Sequence, residues 1–518
     1  MIHRYEERTR ILILHTTRTA LFVVLMGVCI AIGWHTLPKG FLTDEDEGYM
    51  MVMVNTPEAS SLSTTLRAMQ HAEQLIAQHP AVKYSSLAAG YDMMAGIERS
   101  SSGVIFVVLK DFSQRHTTAA ELASELNGEL YTAIPEAECY AIIPPSIPGL
   151  GITSDLSLQV QDLEGRGTAY LYEHTLALMD SLRRDKSIAK VSTQFSASTP
   201  QRLLNVNRTQ AMSEGVELSE IYTTLSTLLG GTYTGNFNRF GRQYQTYVQA
   251  SALSRKDARS LDSYFVSNSH GESVPLSALV SVKDTVGVEY ITQFNLYESI
   301  PLSISAAKGA SSGDVMERVE AIARRVLPPD VGTSWSGLSY QQAKARRGGG
   351  VVYAIAIIFV YLALAALYES WTLPIAILLS VPAAVAGALA AMLAAHAIEV
   401  QYVNNVYVQI SLIMLIGLAA KNAILVVEYA DRIHSSANRP YTEAAIEAAR
   451  ERVRPIIMTA LAFVLGIVPL ILASGNFSVA RNIMGVALAG GMIAATAAGI
   501  FLYPAAYYLV ESITQKKR

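Results

Sequence analysis

The sequence predicts two parts: an α-helical membrane domain of six spanning helices, and a large α+β region outside the bilayer made of two subdomains, the second carrying an insertion. Three observations carry this reading. Apolar runs long enough to cross a bilayer as helices stand near both ends of the chain. Between them, over about 41–340, hydrophobicity alternates between a period of 2 and a period of 3.6. The composition, 51% hydrophobic and 16% charged, is too apolar for a wholly soluble protein and too polar for a wholly embedded one.

In chain order, residues 1–18 form a basic flank with Arg4, Arg8, Arg10 and Arg18, which places the N-terminus in the cytoplasm ahead of a first span over about 19–36. That span lacks a small-residue cleavage site and reads as an anchor, not a signal peptide. Pro38 and Gly40 end it, and Asp44, Glu45, Asp46 and Glu47 read as a solvated acidic opening to the soluble region. Strands are expected at 49–54, 82–87, 104–109 and 140–143, with helices at 62–78 and 119–133. Strand-helix-strand-strand-helix-strand is the ferredoxin-like split βαβ arrangement. The pattern restarts with a strand at 156–160, a helix at 168–183, and strands near 189–193 and 202–206. It ends, after an interruption from about 208 to 298, with strand 302–306, helix 315–326 and strand 331–335. Five further spans follow near 349–368, 373–396, 404–430, 455–474 and 480–510. The parts are therefore 1–40, 41–150, 151–207, 208–298, 299–340 and 341–518. An even number of spans returns Lys516, Lys517 and Arg518 to the cytoplasm, and the loop 431–454, with five arginines, falls there too. Lys344, Arg346 and Arg347 stand on the opposite side, where a long translocated domain is exempt from the rule.

Several chemistries find no support. A net charge of −3 gives no basic field for nucleic acid. Cys29 and Cys139 are the two cysteines, too few and too differently placed for a disulfide framework. The ten histidines lack metal-ligand spacing, and no Gly-Lys-Ser/Thr phosphate loop occurs. No catalytic residue, metal or cofactor is expected.

Lys421 lies inside the run 406–429, where a charge costs a few kcal/mol unless it finds a polar partner or snorkels to an interface. Glu428 follows seven residues on, roughly 10 Å along a helix, so a partner for Lys421 has to come from another helix. The stretch 417–428 resembles the second-half transmembrane motif of the resistance-nodulation-division (RND) multidrug efflux permeases of the AcrB type. Phe41 to Gly48, Leu364 to Trp371 and Arg454 to Thr459 agree with it in the same order. The resemblance covers about residue 10 to the C-terminus and matches the C-terminal half of a chain about twice as long.

The resemblance implies an inner-membrane drug/proton antiporter with a large periplasmic region, powered by the proton-motive force without a cofactor. It places Lys421, Arg452 and Thr459 in or near the proton pathway, and Asn422, beside Lys421, joins them as a residue able to hydrogen-bond across helices. Asn422 also reads as a packing amide, Arg452 as an interfacial base and Thr459 as a hydroxyl bonded to its own backbone. In the family, paired aspartates of the N-terminal half face this lysine. No expected span here contains an Asp, since Asp431 falls at a helix end. The carboxylates are therefore expected in trans, from an N-terminal half.

For substrate, the glycine-flanked loop 88–96 with Tyr91, Met93 and Met94, followed by Phe106, suits a binder of many hydrophobic small molecules, because Met and aromatic side chains repack around different shapes. Residues 144–149 read as a rigid connector. Near a hairpin tip in the insertion, Phe237, Arg239, Phe240 and Arg242 read either as an ordinary exposed turn or as an arm docking a partner. The resemblance favours docking, with a trimer of like protomers, a periplasmic adaptor and an outer-membrane channel as partners. Two rival readings are a non-transporting remnant or scaffold of a disrupted pump gene, and an RND relative exporting lipids or proteins.

Overall fold

The computed structural model describes residues 2–147, 149–307 and 309–515; Pro148 of the expected connector and the basic end 516–518 lie outside the described residues. The chain divides into two compact units, Met1–Phe195 with Ile291–Arg518, and Ser196–Tyr290.

The first unit opens with α1 (Ile2–Leu14) and α2 (Thr16–Thr36). The expected basic flank is thus itself a helix. Ile13 is buried, and the Tyr5 hydroxyl donates to the Ile500 carbonyl at 2.9 Å, so apolar anchors among the charges hold it to the last helix. Next come β1 (Tyr49–Asn55), α3 (Leu62–Gln78), β2 (Val82–Asp92), β3 (Ile97–Leu109), α4 (Ala119–Ala133) and β4 (Glu138–Ile142). They form one antiparallel sheet in the order β2-β3-β1-β4. Strand alternation decides its faces. Met50, Val52, Val54, Ile105 and Val107 pack on Ala68, Met69, Ala72 and Ile76 of α3 and Leu122, Leu126 and Leu130 of α4. Met51, Met53, Val104 and Phe106 point the other way. Ser61 caps α3, and Thr118 with Glu121 closes a capping box on α4.

β5 (Leu156–Asp162), α5 (Thr168–Arg183) and β6 (Ile188–Ser192) begin a second sheet. The chain then enters the second unit: β7 (Thr199–Val206), α6 (Arg208–Ser213), α7 (Leu218–Leu225), β8 (Thr232–Arg239), β9 (Arg242–Val248), β10 (Phe265–Ser267), β11 (Ser273–Pro275), α8 (Leu276–Leu279) and β12 (Val280–Gly287). Its core gathers Ala211, Ile221, Leu225, Leu261, Tyr264, Leu276 and Leu279. β7 pairs with β12 through eight residues. The strand expected near 202–206 in the second sheet therefore belongs to the inserted unit, which starts at Ser196 and ends at Tyr290 instead of spanning 208–298. That it is a strand is readable in the sequence; its pairing partner, some eighty residues away, is not.

The chain returns with β13 (Thr292–Phe294), β14 (Tyr297–Ala306), α9 (Ser312–Val326) and β15 (Val331–Trp335). β14 lies between β5 and β6, and β15 pairs with the far side of β5. Leaving β13 aside, the connectivity of the first sheet is repeated.

Helices α10 (Gly337–Tyr368), α11 (Leu373–Leu378), α12 (Val381–His396), α13 (Val406–Ala437), α14 (Tyr441–Ile471) and α15 (Ser478–Gln515) complete the unit. Among the described residues six helical segments are long and apolar enough to cross a membrane. Three bounds differ from expectation. α10 starts at Gly337 instead of 349. The span 373–396 is two helices, with Pro382 unable to donate a backbone N–H to the preceding turn. The loop expected over 431–454 is nearly all helix: buried Ala444, Ala445, Ala448 and Ala449 supply a packing face that the surrounding charges hide.

α12 and α15 approach through glycine. A Cβ added at Gly387 would collide with Ala494 Cβ and the Gly490 carbonyl, and one at Gly490 with Ala391 Cβ. Gly387→Ala is expected to cost about 1–3 kcal/mol by overpacking, read as a lower midpoint in thermal unfolding of the detergent-solubilised chain.

Candidate functional site

Lys421 sits halfway along the span Val406–Ser436. It belongs to an exposed stripe of α13 with Ile410, Met414, Gly417 and Glu428, which recur at helical spacing. Glu428 is engaged by Arg432 at 2.9 Å. Lys421 makes no hydrogen bond or ion pair with a described residue. Asp431 falls inside α13, not at its end, but ten residues from Lys421 and so about 15 Å along the axis.

The other three residues go different ways. Asn422 is buried and its amide approaches Met492 Sδ of α15 at 3.7 Å. Arg452 stacks its guanidinium on the Tyr429 ring at 4.4 Å, joining α14 to α13, and its buried Nε has no hydrogen-bond partner among the described residues. Thr459 Oγ1 donates to the Ile456 carbonyl at 3.0 Å, within its own helix. No hydrogen bond joins any two of the four. Two cations, Lys421 and Arg452, thus stand on membrane helices with no carboxylate among the described residues paired to them.

In the soluble region, Met93, Met94 and Phe106 come together. They pack, half-buried, on Met51, Met53 and Val104 beside Tyr140, Ile142 and Ile152. Tyr91 stands apart and is exposed. The expected loop 88–96 is a hairpin: β2 runs on to Asp92, whose Oδ1 accepts from the backbone N–H of Met94 and Ala95 at 3.0 Å. An Asx turn closed on a buried Asp92–Arg99 ion pair at 3.5 Å defines the chain here, in place of the expected free loop. Gln194, which follows β6, donates to the Tyr140 hydroxyl at 2.6 Å and accepts from Asn55 at 3.2 Å, and Lys190 lies over the Tyr140 ring at 4.9 Å. The open faces of the two sheets meet there. Burial pushes the Tyr140 hydroxyl far above its ordinary value, with Asp92 and Glu138 adding to it. It remains neutral at physiological pH.

In the second unit, β8 and β9 form a ribbon exposed on both sides. Phe240 and Gly241, both at positive φ, make its two-residue turn, which glycine at the second position permits. Phe237 stacks on Tyr244 at 5.3 Å and Arg239 lies 4.8 Å over Phe240. The register slips between Tyr233 and Gly235, so the pair Tyr233–Tyr247 falls on the face opposite Phe237–Tyr244.

The acidic run is solvated only in part: Asp44 is exposed, Asp46 and Glu47 are half-buried, and Glu45 is buried. The Glu45 carboxylate is buried and accepts from the backbone N–H of Ala480 at 2.7 Å and Val479 at 3.2 Å, and from Thr43 Oγ1 at 2.8 Å. Asp46 takes both Nη atoms of Arg115 at 2.7 Å and the backbone N–H of Ala119 at 2.7 Å. Burial alone would raise the Asp46 carboxyl, but these bonds and the Gly48 N–H hold it below the usual range. Asp44, which is exposed, lines with Ser154, Asp155 and Gln342 a cavity of about 290 Å³.

A model of the AcrB/AcrD/AcrF family matches residues 1–511. The toluene efflux pump membrane transporter TtgB of Pseudomonas putida is 34% identical over 483 residues, 93% of this chain and 45% of that protein. The multidrug resistance protein MdtF of Escherichia coli is 33% identical over 515 residues, 98% and 49% of the respective chains. The solvent-resistant pump membrane transporter SrpB of Pseudomonas putida is 31% identical over 481 residues, 92% and 45%. The chain spans about half the length of the curated relatives it matches.

Proposed function

The chain belongs to the AcrB/AcrD/AcrF family, and we propose from that premise that it is the C-terminal half of a proton-driven permease exporting hydrophobic and amphiphilic compounds. The family is one of efflux transporters and not a class of enzyme, and the chain is a multi-pass protein of the inner membrane with a large periplasmic region. One observation carries the half-permease reading: Lys421, in mid-membrane and exposed, has no counter-charge among the described residues. An ammonium in the middle of a span without a carboxylate does not hold its charge cheaply. An N-terminal half bearing the paired aspartates, supplied in trans, completes the relay on the exposed stripe of α13. Arg452 and Thr459 of α14 and Asn422 act beside it by shifting helix contacts as the proton passes. The cycle uses the proton-motive force and no cofactor.

The repeated strand order supports reading both sheet subdomains as ferredoxin-like split βαβ units, with substrate between them on the wall of Met93, Met94 and Phe106. Tyr91, exposed on the neighbouring strand, contributes at the rim. The ribbon of the second unit docks partners, in a trimer of protomers joined by an adaptor and an outer-membrane channel. Its lack of burial supports that role, since a two-stranded ribbon is marginally stable alone. Phe237→Ala with Phe240→Ala is expected to lower adaptor or channel crosslinking at least tenfold while proton coupling persists. Equal crosslinking in variant and wild type removes the docking assignment, Arg239 and Arg242 included.

Affinity purification of the tagged chain from its native membrane tests the central reading. A co-purifying six-helix half with two adjacent intramembrane aspartates is the expected result. Its absence favours a non-transporting remnant.

A further inference from the structure

We propose that Glu45 and Asp46 are positioning residues that lock the start of the last membrane helix to the first sheet subdomain, so that a displacement of α15 is delivered to α4. The proposal rests on the transport reading for its purpose, but on geometry for its existence.

Two consecutive side chains reach two different helices. The α15 N-terminus starts after Phe477, which is at positive φ and offers no acceptor, so the orphan donors of its first turn need an outside partner. Glu45 provides it with both carboxylate oxygens, at Val479 and Ala480. A negative charge there also meets the positive end of a long helix. One residue on, Asp46 holds Arg115 by a two-pronged bond and the first N–H of α4, at Ala119. Arg115 is almost wholly buried, lies 4.1 Å over the Phe112 ring, and also donates to the Lys110 and Thr117 carbonyls.

The backbone between these anchors has little slack. Gly40 N donates to the Asn404 carbonyl at 3.1 Å, Asn404 N to Pro38 at 2.8 Å and Val406 N to Phe41 at 3.1 Å, fixing the segment to the start of α13. On the other side Leu109 N donates to the Gly48 carbonyl at 2.8 Å, immediately before β1. The segment 38–48 is therefore pinned to two membrane helices at one end and to the sheet at the other. The carboxylates are separated by a single peptide unit, and neither can follow its helix without pulling the other.

Hydrogen exchange on the full chain in lipid nanodiscs tests this without requiring transport. In Glu45→Gln, exchange at 479–480 is expected to rise about tenfold and, through the link, exchange at 115–119 at least threefold. In Asp46→Asn the same two segments respond in the reverse order. Should either variant fail to fold, Thr43→Val, which keeps both carboxylates but frees Glu45 from its neighbour, is expected to give the same paired response at smaller size. If each substitution loosens only its own helix start, the link is overturned whatever the chain transports. If the paired response appears in a chain that exports nothing with its partner half, the link stands and the transport reading falls.

Discussion

Lys421→Ala returns substrate efflux to the level of cells lacking the pump, with membrane expression unchanged. The expectation follows from where the residue is placed. Its neighbours on the α13 stripe are apolar on one side, and Glu428 beyond them is taken by Arg432. Alanine in this position removes a charge that no described residue pairs with, so the fold of this chain loses no ion pair. On the proposed reading the loss falls on the relay, because the partner half's carboxylates would then face no cation. Drug accumulation in cells co-expressing both halves is the measurement. Unchanged accumulation in the variant would remove Lys421 from the relay.

Arg115→Ala is expected to destabilise the first sheet subdomain by about 3–5 kcal/mol, because it strands the Asp46 carboxylate in a protein-lined site. Local exchange or thermal unfolding of the full chain reads it. The pH dependence has a definite sign. The Asp46 carboxyl is held below its ordinary value in the folded state. Its contribution is therefore fully present above the usual aspartate range and is lost as pH falls through the lowered folded value. In Arg115→Ala this acid-sensitive component is expected to shrink to what the Ala119 and Gly48 N–H groups supply. If wild type and variant lose stability in parallel below about pH 4, the ion pair is not its source.

The apolar runs and the alternating strands announced both layers of the fold because each is a local pattern: a span needs only length, and a strand facing helices needs only every second residue. Partners are not local. The strand expected at 202–206 forms, over 199–206, but pairs with 280–287, and no property of its own residues says so. Charge density misled in two places. At 441–454 the glutamates and arginines conceal a helical face made of alanines, and within the acidic run Glu45 and Asp46 are taken up by helix starts. At the candidate sites, Met93, Met94 and Phe106 were legible as a group, since β3 carries Phe106 past the hairpin turn. Tyr91 fell outside the group because β2 continues to Asp92 and presents alternate residues to opposite faces. Lys421 stood out from hydropathy alone. That it faces away from this chain's own helices required the coordinates.

The glycine contact of α12 with α15 reduces the degrees of freedom of the membrane half. Ala391 and Ala494 would have to ride over opposing backbone for either helix to slip past the other, so the two translate as one shaft. In the proposed cycle, a push on either of these two helices would therefore move both.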